Sequence, residues 1–138
     1  MVPEWSTMND KAKSPAQILI VESDINLRRG MVRGLSGPDR SVSDTANPIE
    51  AVEWLKRSHF DIVITAADFT IMDGKEALRR MREASPGTPV LILTNEVSSR
   101  KASPDLHRIE KPVSLSDLIA KIEIILKNSD QSSVISHQ

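Results

Sequence analysis

Cysteine is absent from the 138 residues, so disulfides, thiolate chemistry and cysteine-ligated zinc are excluded together. Tyrosine is absent as well, and the aromatics reduce to Trp5, Trp54, Phe60 and Phe69. They offer no platform on which bases could stack. Neither sign of charge dominates, since the formal net charge is −1. A general attraction to nucleic acid or anionic lipid is therefore not expected. Long apolar runs are missing too, and none approaches the roughly 20 residues that span a bilayer. The opening segment, MVPEWSTMNDKAK, lacks the apolar stretch of a signal peptide. These absences lead to three expectations: a cytoplasmic location, no membrane contact and no nucleic-acid partner.

What remains is ordinary for one globular domain, with 39% hydrophobic and 27% charged residues. A chain of this size can bury a core without metals or disulfides. Residues 1–16 are polar and aperiodic and read as a mobile N-terminal arm. Residues 17–127 read as the folded domain, and 128–138 as a mobile C-terminal tail.

Within the domain, short apolar runs alternate with segments of helical period. Ile18-Leu19-Ile20-Val21 suits a strand buried on both faces. From Asp24 to Leu35, the spacing of Leu27, Met31 and Leu35 lines one helical face. Gly30 and Gly34 weaken that helix by about 1 kcal/mol each relative to Ala, unless they allow close packing on the sheet. Arg40 to Thr45 is a weak strand. Asn47-Pro48-Ile49-Glu50 supplies an N-cap, a proline at the first helical position and an acid three residues after the cap. The helix it opens turns Ala51, Val52 and Leu55 inward, with Trp54 packing beside that stripe.

Phe60 to Ile64 reads as a strand, Asp73 to Ala84 as a helix with Ala77, Leu78 and Met81 inward, and Val90 to Leu93 as a further strand. Leu106 to Glu110 reads as a short strand. Ser114 and Asp117 form a capping-box pattern before a helix that turns Leu118, Ile119, Ile122, Ile125 and Leu126 inward. Strands alternating with helices imply a mostly parallel, doubly wound sheet covered on both faces. Ligands of such sheets sit beyond the carboxyl ends of the strands. Here those ends carry Glu22-Ser23-Asp24, Thr65-Ala66, Thr94-Asn95 and Glu110-Lys111.

Four segments resemble the response-regulator receiver domains, and they occur in the family's order. ILIVESDINLRRG is similar to the family's opening strand and loop, and FDIVITAADFTIMDG to its third strand and the following loop. PVLILTN is similar to the fourth strand, and EKPVSLSDL to the fifth strand and last helix. The resemblance covers roughly residues 17–127. It implies a five-stranded parallel sheet of the flavodoxin-like, CheY-like type. Only residues 95–110 separate Thr94 from Lys111, and they include Ser103-Pro104, so a shortened or irregular fourth helix is expected.

The resemblance also implies a phosphorylation site built from five positions. The family's chemistry needs a carboxylate to attack phosphorus, acids that hold a hard cation, a lysine on the phosphoryl oxygens and a hydroxyl that senses the group. Here Glu22 stands at the first acidic position and neutral Ser23 at the second. Ala66 replaces the acceptor aspartate. Thr94 and Lys111-Pro112 are kept, and Arg108 stands near the place of the family's switch aromatic.

No catalytic residue is therefore expected, and Mg²⁺ is not expected to bind, with Glu22 and Asp24 as weak candidate ligands. The plainer reading of Asp24 is a helix cap, and that of Lys111 an ion pair with Glu22 contributing about 0–1 kcal/mol. Arg28, Arg29 and Arg33, like Arg79, Arg80 and Arg82, read as solvated helix faces.

The leading expectation is a receiver-like signalling module that acts by protein–protein interaction without phosphorylation. Its partner would be a histidine kinase or another signalling protein, and a small-molecule ligand is not expected. Two alternatives stand beside it. One is a working phosphorelay receiver using a displaced acid, with Asp68 the best candidate. The other is a small enzyme or cofactor protein on a flavodoxin-like sheet, although no glycine-rich phosphate loop follows Val21.

Overall fold

The structure, a computed structural model, describes residues 14–95 and 106–135, with side chains as far as residue 128. Its elements run β1 (Ala16–Val21), α1 (Ile25–Leu35), β2 (Arg40–Thr45), α2 (Pro48–Arg57), β3 (Ile62–Ala66), α3 (Gly74–Ala84), β4 (Val90–Thr94), β5 (Leu106–Glu110) and α4 (Leu115–Ile135). The five strands form one sheet in the order β2-β1-β3-β4-β5, and every neighbouring pair is parallel. The chain leaves β1 towards one edge and returns past it to build the other half. That reversal opens a crevice at the carboxyl ends of β1 and β3.

The apolar runs explain why the central strands lie inside. Ile18 to Val21, Ile62 to Ala66 and Val90 to Thr94 are buried on both faces, as strands between two helical layers must be. Alternation then divides the core. Ile18, Ile20, Ile62, Ile64, Leu91 and Leu93 pack with Met31, Leu35, Leu118, Ile122 and Ile125 of α1 and α4. Leu19, Val21, Val63, Val90 and Ile92 pack with Ala51, Val52, Leu55, Ala77 and Met81 of α2 and α3. Trp54 is half-buried against this second cluster, in its expected packing role.

Local signals set the helix starts. Asp24 Oδ1 accepts from the backbone N–H of Asn26 at 2.9 Å and of Leu27 at 3.1 Å. Asn47 Oδ1 accepts from Ile49 N–H at 2.8 Å, with Pro48 at the first helical position. Glu50 accepts from the hydroxyl of Thr45 rather than closing a capping box on Asn47. Ser114 Oγ accepts from Asp117 N–H at 3.0 Å ahead of α4.

Several expectations need correction. The strand expected from Phe60 begins at Ile62 and runs through Ala66, because Asp61 turns its carboxylate onto Gln17 N–H at 2.7 Å. Ala16, assigned to the arm, is already in β1, paired with Arg40. The tail expected from residue 128 is helical as far as Ile135, since no proline or glycine interrupts residues 115–135. Close packing of Gly30 on the sheet is not found, since a Cβ there would meet nothing within 4 Å. Gly34 instead admits the side chain of Leu115 from α4. Most of the expected arm and the irregular fourth helix fall on residues 1–13 and 96–105, outside the described residues.

Candidate functional site

A cleft of about 700 Å³ opens at the carboxyl end of the sheet. Parallel strands bring distant segments to this one rim. Glu22, Ser23, Ala66, Thr94 and Lys111 all line the cleft, as does Asp68. Asp24 is not on its wall and caps α1 instead. Of the seven positions singled out from the sequence, six therefore converge. Asp73 and Lys75, at the start of α3, and Arg108, on β5, line the same cleft. Asp73 and Lys75 were missed because only the fold carries the start of α3 to the rim.

At the centre lies Glu22, only 2% exposed. Its Oε1 stands 3.3 Å from Lys111 Nζ, whose side chain is 25% exposed. Its Oε2 accepts from Asp24 N–H at 2.9 Å. Both carboxylate oxygens thus have donors. The expected ion pair is formed, but one member is buried rather than part-exposed. A pair with a buried member cannot be scaled as a surface pair, because removing one partner strands a desolvated charge.

The backbone around Glu22 is held equally firmly. Arg28 Nη1 donates to the Glu22 carbonyl oxygen at 2.8 Å, and Arg28 Nε pairs with Asp44 on β2 at 2.9 Å. Arg28 is therefore not part of a solvated helix face. Its side chain is 17% exposed and bridges α1, β1 and β2. The backbone N–H of Lys111 donates to the Thr94 carbonyl oxygen at 2.8 Å, joining β5 to β4.

The end of β3 differs in kind. Ala66 is 6% exposed and presents only a methyl group to the cleft. Thr65 donates its hydroxyl to the Ala66 carbonyl oxygen at 3.1 Å. The loop after it returns tightly, and a Cβ on Gly74 would land on the carbonyl oxygen of Ala67. Glycine is required there by close approach. Among the described residues, no three carboxylate or imidazole side chains converge as a metal-binding group. None of their helices is long and apolar enough to cross a membrane.

Comparison with known proteins agrees with this architecture. Residues 18–123 match the response regulator receiver domain family. Response regulator MprA of Mycobacterium leprae (strain TN) is 30% identical over 118 residues, which cover 82% of this chain and 52% of the relative. Response regulator MprA of Mycobacterium sp. (strain KMS) is 29% identical over 120 residues, 83% of this chain and 52% of the relative. The chain thus spans about half the length of these curated relatives. A CheY-like receiver domain protein from Methanospirillum hungatei superposes with a TM-score of 0.77 at 24% identity, covering 86% of this chain and 99% of its own. The receiver domain of the hybrid histidine kinase CckA gives 0.70 at 20% identity, covering 80% of this chain and 99% of its own. At such identities the likeness is one of fold.

Proposed function

This chain belongs to the response regulator receiver domain family, and we propose that it is a member in which signalling has been separated from phosphorylation. In this reading it works by protein–protein contact, with a histidine kinase or another signalling protein as partner. The observation that carries the reading is Ala66. A methyl group at the end of β3, on the cleft wall, cannot attack phosphorus.

Two further observations support it. Ser23 is neutral, so Glu22 is the one carboxylate among the five site positions. Both oxygens of Glu22 are already engaged, by Lys111 and by Asp24 N–H. A divalent cation of the Mg²⁺ type needs several free oxygen ligands, and these residues do not fit one.

The test is to incubate the full chain with acetyl phosphate and Mg²⁺, then record its intact mass and amide spectrum. No phosphorylated species is expected, and no saturable shift at Glu22, Ala66 and Thr94. A covalently held phosphoryl group would overturn the reading. Asp68 lines the same cleft, which favours it as the acceptor in the second reading. A phosphorylated species that disappears in Asp68→Asn would establish that alternative.

A further inference from the structure

The carboxyl end of the sheet is crossed by an unbroken chain of polar contacts. Asp44 on β2 pairs with Arg28 at 2.9 Å, and Arg28 holds the Glu22 carbonyl oxygen at 2.8 Å. The N–H of Glu22 also donates to the Thr45 carbonyl oxygen at 3.0 Å, tying the end of β1 to β2. Glu22 pairs with Lys111 at 3.3 Å, and the Lys111 N–H bonds the Thr94 carbonyl oxygen at 2.8 Å. The chain therefore joins β2, α1, β1, β5 and β4. It passes over β3, the strand that ends on the Ala66 methyl group.

We infer that this chain of contacts is a permanent brace that takes the place of a bound divalent cation and holds the cleft in one arrangement. The inference rests on the phosphorylation-independent reading. Its charges close without an added ion, since Asp44 and Glu22 are offset by Arg28 and Lys111. Several carboxylates sharing a site repel one another and need a cation to coexist. A single buried carboxylate with an ammonium on one oxygen and a backbone N–H on the other does not. Glutamate also suits the role, because its additional methylene extends the carboxylate beyond the reach of an aspartate. Lys111 and Arg28 act as positioning residues, one on the carboxylate and one on the backbone of Glu22.

A double-mutant cycle on the full chain tests this. Urea unfolding would be measured for Glu22→Gln, Lys111→Met and the double variant, together with amide spectra with and without millimolar Mg²⁺. Lys111→Met is expected to lower the folding equilibrium constant by about tenfold or more, because it strands the buried carboxylate. The double variant should recover part of that loss. Arg28→Gln breaks the opposite arm of the brace, keeping the test open if Lys111→Met fails to fold. It should move the Lys111 and Thr94 amide signals across the sheet. Mg²⁺ should leave the unmodified chain's signals in place. An uncoupled cycle, Arg28→Gln shifts confined to α1, or saturable Mg²⁺ shifts at Glu22 and Ser23 would each overturn the brace. Phosphorylation by acetyl phosphate would instead sink the reading beneath it, so the two failures are distinguishable.

Discussion

At position 66 a methyl group meets a cleft wall where attack on phosphorus would require a carboxylate. An acid introduced at this position alone should not confer that chemistry. Ala66→Asp would add a second buried carboxylate to a rim where Asp68 and Asp73 are exposed and Lys111 already serves Glu22. It is expected to cost on the order of 2 kcal/mol in urea unfolding at pH 7. Adding Ser23→Asp supplies a further cation ligand, and only the double variant is expected to gain a phosphoryl group from acetyl phosphate with Mg²⁺, read by intact mass. Two glycines show the same dependence on surroundings. Gly30 faces open space on a helix, so Gly30→Ala should stabilise by roughly 0.5–1 kcal/mol in thermal or urea unfolding. A methyl at Gly74 would collide with the Ala67 carbonyl oxygen, so Gly74→Ala should destabilise by roughly 1–3 kcal/mol. The sequence marks both as glycine, and only the packed structure assigns the opposite signs.

Among the elements, α3 owes its outer face to charge pairing. Arg79 bridges Glu76 at 2.6 Å and Glu83 at 2.8 Å, and Arg80 reaches Glu76 at 2.8 Å. Hydrogen bonds from Arg79 and then Arg80 hold the Glu76 carboxyl down at about 2, against an ordinary 4.5. A lowered folded-state value means that the contribution is fully present above about pH 4.5 and fades as pH falls towards 2. The pairs are solvent-exposed, so the effect is small and screened by salt. Glu76→Gln is therefore expected to lower Tm slightly at pH 7 and low ionic strength. The difference from the unmodified chain should shrink through that acid window and disappear near its lower end. The helix starts were legible because caps act locally, as Asp24 and Asn47 show. The end of α4 was not legible. Polar composition after Lys127 reads as a tail, but helix can continue through polar residues when no proline or glycine stops it.

For the molecule as a whole, the parallel sheet and the gathering of six site positions at one rim follow from alternation of strands and helices, which the sequence carries plainly, whereas the CheY-like type of that sheet is implied only by the family resemblance. What it does not carry is which side chains meet there. By sequence Arg28 reads as one of three solvated arginines, whereas the fold brings Asp44 and the Glu22 carbonyl oxygen within its reach. The two halves of the core lie on opposite faces of one sheet and share its strands. Leu118 sits in one half, while Trp54 packs against the other. If the shared sheet makes folding all-or-none, damage on one face must be felt on the other. Leu118→Ala should cost about 2–5 kcal/mol, as expected for a fully buried leucine. In a Trp5→Phe background, Trp54 would be the sole tryptophan. Its fluorescence midpoint in urea should then shift by the same amount as the far-ultraviolet circular dichroism midpoint. A Trp54 transition that stays in place while the dichroism moves would mean that the two faces unfold separately, and that the sheet does not couple them.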